Sequence, residues 1–126
     1  MEVYIAVDGD DIGNHIEYLM LSNKRDALME FSLKYKEGMD WFIRKIVESM
    51  RATIILAGGD NVLLSSNNEM FSVSRLEELR SEFQKRVGHT LSIGIGDSIR
   101  RAYLALKLAK TSGKNQTRLF EELGDV

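Results

Sequence analysis

The chain has 126 residues, of which 44% are hydrophobic and 29% are charged. This balance is typical of a folded globular domain and excludes an intrinsically disordered chain, which has few apolar and many charged residues. The sequence has no cysteine and two histidines, which excludes disulfides and thiolate metal sites and argues against a histidine-rich zinc site. The formal net charge of −2 argues against a domain that mainly holds a nucleic-acid duplex, because such domains carry a basic surface.

Apolar stretches in the sequence are only a few residues long, whereas a membrane-spanning helix needs roughly 20. The first residues have a strand pattern and no basic leader, so we expect a cytoplasmic protein with no membrane partner. The length suits one domain, and no repeat, linker or low-complexity segment divides the chain. We therefore expect residues 1–126 to form a single domain.

The first part of the chain predicts one strand and two helices. Residues 2–8 are apolar, aromatic and β-branched and are followed by Gly9, as in a buried strand. Apolar residues then recur at helical spacing over 12–21 and, after a break at 22–23, up to about residue 49. One stripe of the second helix therefore faces a core.

The middle of the chain predicts a β-hairpin. Two apolar runs, 53–57 and 62–64, are separated by the tetrapeptide Gly58-Gly59-Asp60-Asn61, which is rich in turn-forming residues. The hairpin therefore carries Asp60 at its tip.

The last part of the chain predicts a helix, a strand and a final helix. The third helix follows a capping serine, Ser72 or Ser74, and a strand covers 90–95. Ser98 can cap the last helix, which Gly113 ends. The apolar spacing predicts the buried face of this last helix as Ile99, Ala102, Tyr103, Leu106 and Ala109.

If the break at 22–23 is ignored, the elements follow in the order strand, helix, strand, strand, helix, strand and an extra helix. This order predicts an α+β fold of the ferredoxin-like βαββαβ type, with a C-terminal helix added.

Two acids are expected at the same edge of that sheet. Asp8 ends the first strand and Asp60 lies on the hairpin, and in the βαββαβ order the first strand lies beside the hairpin. Carboxylate oxygens are the ligands that Mg²⁺ prefers, and two ions about 3.5–4 Å apart neutralise a triphosphate and activate an attacking hydroxyl. We predict Asp8 and Asp60 as catalytic ligands of Mg²⁺ or Mn²⁺, two ions per site. The alternative is that Asp-Gly and Gly-Asp-Asn are ordinary turn sequences, although Asp10 and Asp11 further concentrate carboxylates there.

Other residues are candidates for binding phosphate. Gly9 and Gly13 allow the backbone at Asp11, Ile12 and Gly13 to approach a phosphate, where amides at a helix start are unpaired donors. Lys110 and Lys114 lie one helical turn apart, as a pair of phosphate-binding cations would. The alternative for the lysines is ordinary helix-end chemistry, in which cations favour the helix dipole.

Three segments, VDGDDIG, AGGDN and LSIGIGDSIRRAYLALKLAKTSGKNQ, occur in this order and together span nearly the whole chain. They resemble the GGDEF and CRISPR-polymerase palm superfamily, most closely the minimal CRISPR polymerases (mCpol). The resemblance implies that Asp8, Asp60 and the Gly9 carbonyl bind metal. It also implies a nucleotide-binding set, which consists of Asp11, Ile12, Gly13, Gly59, Lys110 and Lys114.

The sequence departs from the GGDEF pattern at two places. Asn61 replaces the glutamate that follows the aspartate, and Ile12-Gly13 replaces the usual phenylalanine-lysine. Guanine specificity and diguanylate cyclase activity are therefore not implied. The GGDN turn is closer to the CRISPR-type palm, whose members are associated with ATP and cyclic adenylates.

The resemblance implies a nucleotidyltransferase that joins nucleoside triphosphates into a cyclic dinucleotide or short cyclic oligonucleotide, in defence against phage. Because closing a ring of two needs facing sites, we expect a homodimer or larger symmetric assembly. Three alternatives stay open at this point: a ring-opening enzyme similar to archaeal GTP cyclohydrolase, a non-catalytic nucleotide sensor, and an interaction module without a ligand.

Overall fold

The structure, a computed structural model, describes residues 1–59 and 61–123. The strands are β1 (Glu2–Gly9), β2 (Thr53–Gly58), β3 (Asn61–Asn67), β4 (Leu91–Gly96) and β5 (Thr117–Leu119). The helices are α1 (Ile12–Leu21), α2 (Arg25–Met50), α3 (Val73–Val87) and α4 (Ile99–Thr111), and a 3₁₀ turn covers Phe120–Leu123.

The strands form one sheet in the order β2-β3-β1-β4-β5. β1 is antiparallel to both β3 and β4, and β2 is antiparallel to β3, which confirms the predicted hairpin and the α+β ferredoxin-like plan. Sequence reasoning missed β5, which has three residues and pairs in parallel with β4.

One face of the sheet is covered by α2 and α3. The apolar stripe of α2 predicted from the helical spacing is buried here, and Phe42 and Ile46 are fully buried. Phe83 of α3 packs edge-on against Phe42, with 6.0 Å between ring centroids. Large side chains therefore fill this core, and β1 contributes Ile5 and Val7.

The other face of the sheet is covered only in part, by α4, which packs mainly on β4 and also contacts β1. This helix lies unusually close to its strand. A Cβ atom on Gly94 would be 2.1 Å from the backbone nitrogen of Leu106, and one on Gly96 would be 2.5 Å from that of Ala102. The helix side of the contact is made of small residues and one leucine, namely Ala102, Ala105, Leu106 and Ala109.

The prediction that Ile99 and Tyr103 belong to the buried face of α4 is wrong. Their exposed fractions are 50% and 52%. The glycines of β4 let the backbone of α4 approach the strand so closely that only small side chains fit between them. The helix therefore rests on its alanines, and the larger pair faces the open part of the sheet.

Both serine caps predicted for α3 and α4 are confirmed. The hydroxyl of Ser72 accepts a hydrogen bond from the backbone amide of Arg75, and that of Ser98 accepts one from Arg101. Among the described residues, no helix is long and apolar enough to cross a membrane.

Candidate active site

Several of the candidate site residues meet where β1 ends. In the sheet register, Asp8 is the partner of Asn61 on β3 and of Ser92 on β4. The end of β1 therefore lies beside the start of β3, next to the GGDN turn. Asp60 itself lies outside the described residues, so its predicted role as a metal ligand stays a prediction that rests on the sequence.

Lys110, near the end of α4, reaches back to this point. Its Nζ atom lies 3.1 Å from Oδ2 of Asp8, 2.8 Å from Oδ1 of Asp10 and 2.9 Å from the carbonyl oxygen of Gly9. Burial alone would lower the pKa of Lys110, but hydrogen bonds to Asp10 and Asp8 outweigh it and raise the pKa above its ordinary value. The lysine therefore stays protonated and places a positive charge at the end of β1.

The same oxygen atoms suit a divalent cation. The Asp8 carboxylate and the Gly9 carbonyl both contact the Lys110 ammonium, at 3.1 and 2.9 Å, so the two oxygens lie close enough together to share one cation. Hard oxygen donors of this kind fit Mg²⁺ or Mn²⁺. Within 1–59 and 61–123 no three Asp, Glu, His or Cys side chains are arranged so that they alone could hold a metal ion. The described residues thus fit a cation that completes its shell with phosphate and water, as Mg²⁺ commonly does.

Asp10 has a different role from the one its sequence context indicates. Its side chain is 2% exposed and accepts hydrogen bonds from the hydroxyls of Thr90 and Ser92 and from the backbone amide of Asn115. Burial alone would raise its pKa, but these bonds and the one from Lys110 hold the pKa below its ordinary value. Asp10 therefore ties the turn after β1 to β4 and to the segment after α4, and the crowded carboxylates are balanced by the protein's own lysines.

The turn between β1 and α1 holds the backbone amides that the sequence proposes as phosphate donors. Asp11 precedes α1 with a left-handed φ of 61°, and its side chain binds Lys114 at 2.6 Å instead of capping the helix. The first amides of α1, beginning at Ile12 and Gly13, thus lack a side-chain cap from Asp11, unlike those of α3 and α4. A phosphate placed there meets unpaired donors and the favourable end of the helix dipole.

The segment after α4 holds Lys114 beside that turn in a strained conformation. Lys114 and Asn115 have φ values of 63° and 50°, a region that costs a non-glycine residue on the order of 1–2 kcal/mol. The Asn115 amide bonds Asp10 and the Lys114 ammonium bonds Asp11, so this segment is attached to the β1–α1 turn at two points. Such strain persists where surrounding contacts fix it, which is common at functional sites.

A cavity of about 560 Å³ opens beside the turn on the α2 face of the sheet. Its volume lies within the range of small-molecule pockets. Ile12 and Gly13 line it from the turn, and Gly58 and Gly59 line it from the hairpin. Tyr35 and Phe31 of α2 supply aromatic surface, and the polar side chains around the cavity are Ser32, Lys36 and Asp40.

The predicted site residues that the structure describes therefore lie together. Asp8, Gly9 and Lys110 meet at the end of β1, Asp11 and Lys114 at the turn, and Ile12, Gly13 and Gly59 line the cavity. The sequence did not indicate Thr90 and Ser92, which hold Asp10, or the residues of α2 that line the cavity. Thr90 and Ser92 lie about eighty residues from Asp10 along the chain, so no short-range sequence pattern indicates these hydrogen bonds.

His15 packs behind the turn. Its ring lies 4.5 Å from that of Phe31 and 4.9 Å from that of His89. Burial, and the charge of His15, lower the pKa of His89 below its ordinary value. These contacts are those of a residue that packs in a small cluster of rings.

Comparison with solved structures places this fold among palm domains. The GGDEF domain of DgcB from Caulobacter crescentus, solved with c-di-GMP, is 16% identical with a TM-score of 0.63, over 95% of this chain and 78% of that one. The active GGEEF domain of a diguanylate cyclase from Vibrio cholerae is 16% identical with a TM-score of 0.60, over 94% and 82%. The Csm1–Csm4 cassette with cA4 is 18% identical with a TM-score of 0.61, over 92% of this chain and 20% of that one.

No curated protein sequence matches the chain. Residues 4–120 match the minimal CRISPR polymerase domain, mCpol, and this match covers most of the sequence. The segments that carry the resemblance, from VDGDDIG to AKTSGKN, fall within it. The chain therefore belongs to the minimal CRISPR polymerase family.

Proposed function

We propose that this chain is a nucleotide cyclase that joins nucleoside triphosphates, ATP preferred, into a cyclic dinucleotide or short cyclic oligonucleotide. The observation that carries the proposal is the convergence of Asp8, the Gly9 carbonyl and Lys110 at the end of β1. An oxygen pair for a cation, a lysine and a helix start with backbone donors are the parts that nucleotidyl transfer requires. Membership of a polymerase family and the palm fold support the same assignment.

The donor nucleotide extends from the cavity to the end of β1. Its base enters the cavity beside Phe31 and Tyr35, where Ser32, Lys36 and Asp40 offer a hydroxyl, a cation and a carboxylate for recognition. Its phosphates cross the turn, where the amides at Ile12 and Gly13 face them. Lys114 leaves Asp11 to bind the terminal phosphates, and Lys110 neutralises charge beside Asp8.

In the reaction a ribose hydroxyl oxygen of a second nucleotide bonds to the α-phosphorus of the donor. The bridging bond to the β-phosphate breaks, pyrophosphate leaves with the electron pair, and the hydroxyl proton passes to solvent. Asp8, the Gly9 carbonyl and Asp60 would hold Mg²⁺ or Mn²⁺, which when bound would stabilise the developing charge and lower the pKa of the attacking hydroxyl. Lys110 and Lys114 hold the charge of the departing pyrophosphate.

Ring closure requires a second site. One set of catalytic groups activates one α-phosphate, so two copies of the domain must face each other for both ends of a dinucleotide to react. The active form is therefore a homodimer or a larger symmetric assembly, formed from a single domain over residues 1–126. We place its product in cytoplasmic signalling against phage, with no duplex or membrane as a partner.

The test is product analysis by mass spectrometry after incubation with each triphosphate and Mg²⁺ or Mn²⁺. We expect a cyclic product and pyrophosphate, most abundant with ATP. Asp8→Asn should lower the rate about a hundredfold or more. The control is Asp97→Asn, which removes an exposed carboxylate 3.0 Å from Arg101 and should change nothing. An opened guanine ring from GTP would establish the cyclohydrolase alternative, and binding without any product would establish a sensor.

A further inference from the structure

A second concavity, the α4 groove, lies on the face of the sheet opposite the base cavity and has a volume of about 740 Å³. Its floor is the part of β1 and β3 that α4 leaves open, with Ala6 and Leu63. On one side is Leu56 of the edge strand β2, and on the other are Ile99 and Tyr103 of α4. These three large side chains are 55%, 50% and 52% exposed, which is unusual for a packed surface and typical of a binding site.

The catalytic carboxylate faces this groove. Side chains alternate along β1, so Asp8 lies on the same face as Ala6, and both line the α4 groove. Asp8 does not line the base cavity, which receives Ile12 and Gly13 from the turn instead. The donor's phosphates therefore reach the reaction point from one face of the sheet, and the other face is open to a second molecule.

The chemistry requires a second molecule on that side. In an in-line displacement the attacking oxygen approaches the α-phosphorus from the side opposite the departing pyrophosphate. Pyrophosphate departs towards the β1–α1 turn and Lys114. The attacker must then arrive from the direction of Asp8, which lines the end of the α4 groove.

The side of α4 that lines the groove has the composition of a nucleotide site. Ile99, Tyr103 and Lys110 lie along one side of the helix, with Arg100 and Lys107 beside them. The Lys107 ammonium lies 5.3 Å from the centroid of the Tyr103 ring, so an aromatic face and a cation are already paired. Tyr103 precedes Lys110 by two helical turns, ~10 Å along the axis, which is the scale of one nucleotide.

We propose that the α4 groove binds the acceptor nucleotide, whose base stacks on Tyr103 and whose ribose hydroxyl lies towards Asp8. Arg100 and Lys107 bind its phosphate, which complements their charge. This inference rests on the proposed function and adds to it the site of the attacking nucleotide. Leu56 and Ile99 then act as apolar walls for the base. Apolar and stacking contacts of this kind do not distinguish one purine from another.

The experiment separates donor from acceptor. A 2′,3′-dideoxynucleoside triphosphate lacks the attacking hydroxyls and serves only as donor, whereas a nucleoside 5′-monophosphate lacks a leaving group and serves only as acceptor. Initial rates of linear dinucleotide formation are measured with Mg²⁺ over a grid of both concentrations, using dideoxy-ATP with AMP and the guanosine pair in parallel. Separate KM values for donor and acceptor follow from the grid.

The variants are Tyr103→Ala and Tyr103→Phe, with Tyr18→Ala as the control. Tyr18 of α1 is 54% exposed and has a lysine ammonium 5.2 Å from its ring centroid, so it matches Tyr103 in exposure and charge contact. We expect Tyr103→Ala to raise the acceptor KM about tenfold, the effect of losing one base stack. The donor KM should stay within about twofold, and Tyr103→Phe and Tyr18→Ala should resemble the unaltered protein.

A readout independent of catalysis accompanies the rates. Irradiation of the protein with 8-azidoadenosine 5′-monophosphate should label the peptide that contains α4, and Tyr103→Ala should reduce that label. Equal acceptor KM values in Tyr103→Ala and Tyr18→Ala, or label confined to α2, would overturn the inference while the proposed function stands. Loss of self-association by light scattering, with both KM values raised equally, would make the groove a protein interface and also overturn it. Failure of the unaltered protein to form any dinucleotide would instead refute the proposed function.

Discussion

Helices α2 and α3 cover one face of the sheet with large aromatic and branched side chains, whereas α4 contacts the other face through alanines, one leucine and the glycines of β4. The first face buries a large apolar area, which is the main source of folding free energy. The second buries little, and its closeness to the strand fixes where α4 ends. Lys110 lies in the last turn of α4 and Lys114 follows the helix. Small residues far from the end of β1 therefore determine where both lysines lie.

The two faces of the sheet therefore have different roles. Changes on the α2 face should mainly alter stability, and changes on the α4 face should also alter the position of the candidate site residues Lys110 and Lys114.

The largest effect is expected from Phe42→Ala. Phe42 of α2 is fully buried and packs against Phe83 of α3. Replacing a buried phenylalanine with alanine costs about 4 kcal/mol of unfolding free energy. Urea unfolding followed by far-UV circular dichroism measures this. Leu33→Ala, on the 59%-exposed Leu33 of the same helix, is the control and should cost less than about 1 kcal/mol. A similar loss in both variants would mean that the α2 face is not the main core.

Gly94→Ala is the corresponding test of the α4 face. The new methyl group would meet backbone atoms of α4 that have no alternative position, and overpacking of this kind costs about 3 kcal/mol. Gly58→Ala, at a position with open space around its Cβ, should change stability by less than about 1 kcal/mol. The same urea unfolding experiment measures the change in unfolding free energy. Full stability in Gly94→Ala would show that α4 does not lie as close to β4 as described.

Asp10→Asn tests the link between the two faces. The carboxylate accepts four hydrogen bonds, and an amide in its place would direct a donor at other donors, which costs about 2 kcal/mol. Asp97→Asn breaks only an exposed pair with Arg101 and should cost less than about 1 kcal/mol. Losses that are equal in the two variants would remove Asp10 from the role of fixing Lys110 and Asn115.

The smallest effect is expected for the pH dependence due to His89. Its pKa is lowered on folding by burial and by the charge of His15, so the unfolded chain binds its proton more readily. The unaltered protein should therefore lose unfolding free energy as the pH falls from 7 through about 6.5 towards the lower folded pKa. His89→Gln should lose less over that window. Parallel pH profiles of the two proteins in urea unfolding would contradict this account of His89.

Much of this architecture was predictable from local patterns. The order of apolar runs predicted the sheet and placed Asp8 beside the hairpin, and Ser98 and Gly113 predicted the limits of α4. The face that α4 buries was not predictable, because Ile99 and Tyr103 have the same helical spacing as the true contacts. The deciding feature is the pair Gly94 and Gly96 on β4, which lets α4 lie so close that only small side chains fit between helix and strand.

The site was predictable where chemistry resides in single residues and less so where it depends on distant partners. The residue types and spacing of Lys110 and Lys114 indicated phosphate, and the structure brings both to the β1–α1 turn. The burial of Asp10 depends on Thr90 and Ser92, which lie about eighty residues away along the chain. Nothing in the sequence near Asp10 distinguishes a ligand of a cation from a carboxylate that holds the fold together.

The central claim is that a divalent cation and a triphosphate complete each other's coordination at the end of β1. The direct measurement is a thermal melt with Mg²⁺, with an α,β-methylene triphosphate that resists bond cleavage, and with both. At a ligand concentration about a hundredfold above the dissociation constant, we predict about 3 kcal/mol of stabilisation for the pair, more than the sum of the separate effects. Asp8→Ala should abolish the excess, Asp60→Ala should do the same, and Asp97→Ala should retain it. An excess of the same size in Asp8→Ala and in the unaltered protein would contradict the account.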